Sequence, residues 1–117
     1  DFRNWYMSGE EFAKTTVWSV HDLYRHLDDK DLFILDVRTR RNVETDGKIR
    51  GSNNVFLGEL PNRLTEIPKD KKICVYCDSG FKAKSAASIL IKNGYSNVAS
   101  VFGSITAWIN AGCPLEE

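Results

Sequence analysis

The sequence predicts an α/β domain, a five-stranded parallel sheet flanked by helices on both faces. Five short apolar runs lead to it: TVWSV (16–20), LFILDV (32–37), NVFL (54–57), KICVYC (72–77) and NVASV (97–101). They are too short for core helices, and several are apolar without alternation, as parallel strands covered on both faces are. Helix-like stretches at 21–28, 58–66, 82–93 and 104–111 separate them, so the strands are joined by right-handed crossovers.

The stretch 82–93 is the clearest helix. Ala83, Ala86, Ala87 and Leu90 fall at helical spacing and give one small-residue face that can lie close to a sheet. Asn93-Gly94 supplies a left-handed stop. Pro68, followed by Lys69, Asp70, Lys71 and Lys72, reads as an exposed turn before the fourth strand.

Bulk properties narrow the function classes. The 117 residues suffice for one domain with its own core, and 42% apolar with 27% charged residues is ordinary globular composition. Sixteen basic residues balance 16 acidic ones, which argues against nucleic acid and against a membrane surface as partners. No apolar run approaches the roughly 20 residues of a membrane span, and the start does not resemble a signal peptide. Three cysteines cannot all pair, which points to a reducing, cytoplasmic setting. His21 and His26 lie on the first helix, no metal site is visible, and nothing calls for a cofactor.

The segment KICVYC-DSGF-KAKSAASIL carries the chemistry. A buried strand ends at Cys77, and Asp78, Ser79, Gly80 and Phe81 lead into a helix at Lys82. Ligands gather at the carboxyl ends of strands in open α/β sheets. A helix N-terminus offers unpaired amide hydrogens that stabilise a thiolate. Gly80 can take the positive φ that turns successive amides inward. Lys82 adds a cation and Asp78 an anion, so the site is built mainly from backbone.

Over 16–117 the chain resembles the rhodanese homology family. The matching residues are LDVR (35–38), CDSGFK (77–82) and GSITAW followed by AGCP (103–114), with GKIRGSNNV (47–55) a weaker match. The resemblance implies a sulfurtransferase in which Cys77 accepts sulfane sulfur as a persulfide and passes it to a nucleophile. It implies Asp78, Ser79, Gly80, Phe81 and Lys82 as the substrate-binding loop. The partners would be a small sulfur donor (persulfide, polysulfide or thiosulfate) and a thiol or cyanide-like acceptor.

Four residues depart from the family pattern. Lys82 and Ala83 stand where Arg followed by Ser or Thr is usual, Asp78 where many thiosulfate users carry Arg or a neutral residue, and Gly103-Ser104 where Gly-Gly is usual. Lysine lacks the planar fork that grips an oxyanion in two places. Thiosulfate is therefore expected to be a poor donor, and a persulfide or polysulfide a better one. The family's phosphatase relatives resemble Cys, five residues, then Arg; here that last position is Ala83, so phosphate-ester chemistry lacks its clamp.

Other residues take structural readings. Cys74 and Cys77 spell C-x-x-C, but three residues of extended chain span about 10 Å, too far for a disulfide, so Cys74 is expected in the core. Cys113 as a resolving thiol is the weaker reading of that residue. Asp36 and Arg38 end the second strand, where a catalytic role is conceivable, but the resemblance implies a structural pair that fixes neighbouring loops. Arg40, Arg41, Lys48 and Arg50 form a basic cluster that is a solvated loop or an attractor of an anionic donor. The domain is placed at 14–117, with 1–13 an N-terminal extension. FRNWYMSGEEF (2–12) echoes ITAWINAGCPL (105–115), and the chain begins at Asp1. Both suit a fragment with a fused neighbouring domain, either a preceding rhodanese unit or a metallo-β-lactamase-fold partner. The competing functional reading is a non-catalytic docking or sulfur-relay module of such a parent.

Overall fold

The computed structural model describes residues 15–116; the expected 1–13 extension and its aromatic echo lie outside them. Strands β1 (Thr15–Trp18), β2 (Leu32–Asp36), β4 (Asn53–Asn54), β5 (Lys72–Tyr76) and β6 (Val98–Val101) form one sheet. Its order is β1-β6-β5-β2-β4 and every pair is parallel, as expected. The helices are α1 (Val20–Arg25), α2 (Arg40–Asp46), α3 (Phe81–Lys92) and α4 (Ser104–Asn110).

Alternation along the central strand creates the two faces. Ile73, Val75 and the following Cys77 share a cluster with Leu35, Val37 and the α3 stripe of Ala83, Ala86, Ala87 and Leu90. Cys74 and Tyr76 turn the other way, onto Val20 and Leu23 of α1 and Ile105 and Trp108 of α4. The side-chain period of a strand thus assigns Cys77 to the α3 side and Cys74 to the opposite side.

Several boundaries moved for identifiable reasons. Ser19 and Asp22 form a reciprocal capping box at 3.1 and 2.9 Å, so Val20 opens α1 instead of ending β1. The stretch 58–66, expected as a helix, is two 3₁₀ turns, Leu57–Asn62 and Leu64–Glu66. Gly58 and Pro61 explain that: one is a poor helix former, the other has no amide hydrogen. Helix α2 was not expected, because none of its residues is buried and no apolar period marks it. A two-residue antiparallel pair, β3 (Lys48–Ile49) with β7 (Leu115–Glu116), was likewise too short to read.

Asp36 and Arg38 form the expected structural pair. Both are fully buried, and Arg38 Nη2 donates to Asp36 Oδ2 at 2.7 Å and to the Gly47 carbonyl at 2.7 Å. Burial opposes the Arg38 charge, but the hydrogen bonds and field of Asp36 outweigh it and hold the guanidinium above its ordinary pKa. Beyond Arg38, the hydroxyl of Tyr76 accepts the Ile49 amide at 3.1 Å and lies 3.0 Å from Ser52 Oγ. The network ties β2, β5 and the 47–54 segment together directly beneath the end of β5. The expected basic cluster is dispersed: Arg40 pairs with Glu44, Lys48 lies near Glu116, and Arg50 pairs with Asp28.

Cys74 is wholly buried, and desolvation pushes its thiol up to about 12, with Lys72 opposing slightly. The unfolded chain releases that proton near its ordinary value of about 8.5, while the folded chain keeps it. Stability from this group is therefore intact below that value and declines as pH rises toward the folded one. Between about pH 8 and pH 10 the native protein should lose roughly 2 kcal/mol more stability than Cys74→Ala. Urea unfolding at both pH values checks this; parallel losses would contradict it. Among the described residues, no helix is long and apolar enough to cross a membrane, and no group of His, Cys, Asp and Glu is placed to hold a metal.

Candidate active site

Cys77 follows β5 directly, and its residue is 2% exposed. Two backbone amides point at its sulfur: Gly80 N–H donates to Sγ at 3.1 Å and Ala83 N–H at 3.3 Å. The first is possible because Gly80 takes φ 123°, a conformation that strains a residue with a Cβ. The second comes from the first turn of α3, whose leading amides have no partner within the helix. A thiolate in this position is held by oriented dipoles without any cationic side chain on the sulfur.

The loop is docked onto the start of α4. Ile105 N–H donates to the Cys77 carbonyl at 3.1 Å, and the Thr106 amide and hydroxyl donate to the Asp78 carbonyl at 3.2 and 2.9 Å. From the same helix, Ser104 Oγ accepts the Cys77 amide at 3.1 Å. The tight entry into α4 needs Gly103: at φ 73°, a Cβ there would lie 2.7 Å from the Ala107 side chain.

The expected loop residues take different places. Asp78 contributes its carbonyl to α4, and Ser79 and Gly80 line a hollow of about 200 Å³ with Val17, Phe81, Lys84 and Phe102. Phe81 is 84% exposed, so its ring is free at the rim of that hollow. Lys82 reaches over Phe56, its Nζ 5.8 Å from the centre of the ring. The amides on Sγ are thus those of Gly80 and Ala83, and Ala83 was missed because its side chain carries no chemistry. Ser104 was missed as a contact because it lies 27 residues away in sequence.

Ala83 also bears on phosphate chemistry, since its side chain is fully buried in the core where a clamp arginine would stand. Cys74 faces the other side of the sheet, so C-x-x-C is not a redox pair here. Cys113 follows the C-terminal end of α4, whereas Cys77 lies at its N-terminal end. All three cysteines are free thiols.

The model of the rhodanese-like domain matches residues 19–111, from the cap of α1 to the end of α4. The chain belongs to the rhodanese-like family. A family member named sulfurtransferase, from Allochromatium vinosum, is 33% identical over 78% of this chain and 84% of its own length. The thiosulfate sulfurtransferase GlpE of Pseudoalteromonas translucida is 32% identical over 70% of this chain and 77% of its own. A rhodanese-related protein from Thermoplasma volcanium superposes with a TM-score of 0.78 at 30% identity, covering 86% of this chain and 96% of that one. The five-stranded sheet with helices on both faces is therefore the family fold, and sulfurtransferases stand among the relatives.

Proposed function

We propose that the protein is a sulfurtransferase that carries sulfane sulfur as a persulfide on Cys77. The observation that supports it is the cradle itself: a thiol at a strand's carboxyl end with two amides aimed at Sγ. Such a cradle stabilises negative sulfur without committing a side chain to acid or base work. The Cys77 thiolate attacks the outer sulfur of a donor R–S–SH; that S–S bond breaks, R–S⁻ leaves with the electron pair and takes a proton from solvent. An acceptor nucleophile then attacks the outer sulfur of the Cys77 persulfide, and Sγ leaves as thiolate. Asp78, Ser79, Phe81 and Lys82 form the wall past which donor and acceptor enter. Three free thiols fit a reducing compartment, and we place the protein in the cytoplasm. The domain is assigned to 14–117, with 1–13 as its extension.

Charge at the loop decides the donor. Thiosulfate carries two negative charges, whereas Lys82 lies over Phe56 near Asp78 and Lys84 is the one cation lining the hollow beside the loop. A lost charged hydrogen bond costs about 1.5–3 kcal/mol, tenfold or more in rate. A low-molecular persulfide should therefore load faster than thiosulfate, the donor in the name of the Pseudoalteromonas relative. Lys82→Arg with Asp78→Arg should raise thiosulfate turnover roughly tenfold or more. Steady-state assays with cyanide as acceptor compare both donors. Thiosulfate preference in the native protein, or no gain in the double variant, would refute the charge argument. Absence of transfer from every donor would favour the docking-module reading.

A further inference from the structure

We propose that Ser104 is a positioning residue for the Cys77 sulfur, acting through a hydroxyl proton that it can give to Sγ; this rests on reading Cys77 as the sulfur carrier. Among the described residues Ser104 is the one non-glycine with positive φ, at 50°. It is fully buried and directly follows Gly103, itself left-handed. Glycine would take this conformation without steric cost, so what the strained position holds in exchange is the hydroxyl.

That hydroxyl sits among three groups. Oγ accepts the Cys77 amide at 3.1 Å, which fixes the backbone of the sulfur-bearing residue. It also lies 3.3 Å from the Val101 carbonyl and 3.8 Å from Sγ. A hydroxyl has one proton, so carbonyl and sulfur compete for it. A neutral thiol is a weak acceptor, and the proton rests on Val101. An ionised sulfur is a stronger one, and the proton turns to Sγ. No covalent bond changes; the hydroxyl only rotates. Ser104 would then join the Gly80 and Ala83 amides as a third donor on the sulfur.

The charged side chains of the loop and of the first turn of α3 are Asp78, Lys82 and Lys84, while Arg38, just past β2, is paired with Asp36. Neither β6, which pairs with β5, nor α4 contains a charged residue. Ser104 is thus the polar group that those elements bring to the sulfur.

The rate of Cys77 alkylation by iodoacetamide, followed by peptide mass spectrometry at about pH 7 and about pH 10, tests the proposal. Native protein, Ser104→Ala and Ser104→Gly are compared, with Cys113 alkylation as an internal reference. Ser104→Gly relieves the left-handed backbone, so it keeps the test usable where Ser104→Ala folds poorly. Both variants should react roughly three- to tenfold more slowly at the lower pH and match or slightly exceed native protein at the higher one. Equal slowing at both pH values would mean simple distortion of the loop, and no slowing at the lower pH would mean that the proton never reaches Sγ. Either result overturns the proposal. Alkylation needs no sulfur donor, so failure of native protein to take up sulfur would sink the carrier reading without altering this measurement.

Discussion

Cys77→Ser is expected to abolish sulfur transfer, by on the order of a thousandfold or more, while the protein still folds. Serine is close to cysteine in shape, and the Gly80 and Ala83 amides that face Sγ can donate to its oxygen instead. An alkoxide is not available at neutral pH, whereas a thiolate is, so the chemistry goes and the structure stays. Thiocyanate formation and thermal unfolding, measured on the same preparation, separate the two effects. More than about a tenth of native turnover in the variant would move the sulfur carrier elsewhere. Cys113 would then be the residue to test, since Cys74 is sealed in the core.

Arg38→Met is expected to have the largest effect on stability, a loss of about 3–5 kcal/mol. It leaves the Asp36 carboxylate fully buried without its cation and the Gly47 carbonyl without its donor. A loss of that size is a large share of the 5–15 kcal/mol available to a typical domain. Arg38→Met combined with Asp36→Asn should recover part of it, because no uncompensated charge then remains. Urea denaturation of both variants checks the pair. A loss below about 1 kcal/mol in the single variant would mean that the pair is not what holds the 47–54 segment to the sheet.

The parts of the fold that rest on long apolar patterns could be read directly. The α3 stripe of Ala83, Ala86, Ala87 and Leu90 is buried as its spacing required, and β5 ends at Tyr76, one residue short of the apolar run that closes on Cys77. What escaped reading had no apolar period: α2 buries nothing, and β3 and β7 are two residues each. The Ser19–Asp22 box was visible in the letters, yet the apolar Val20 next to it made the strand look two residues too long. At the site, the thiol and the glycine at position 80 were legible because strand, cysteine and helix are contiguous. Ser104 was not, since only the pairing of β5 with β6 and the tight Gly103 turn bring it to the sulfur. Side-chain direction was also beyond the sequence. Lys82 looked like a cation for the sulfur, but its Nζ lies over the Phe56 ring.

The central claim is that sulfur rides on Cys77, and intact-mass spectrometry after incubation with polysulfide tests it most directly. Native protein should gain one sulfur atom, located on the Cys77 peptide and removed by cyanide, while Cys77→Ser gains none. An unchanged native mass, or an added sulfur that persists in Cys77→Ser, would contradict the account.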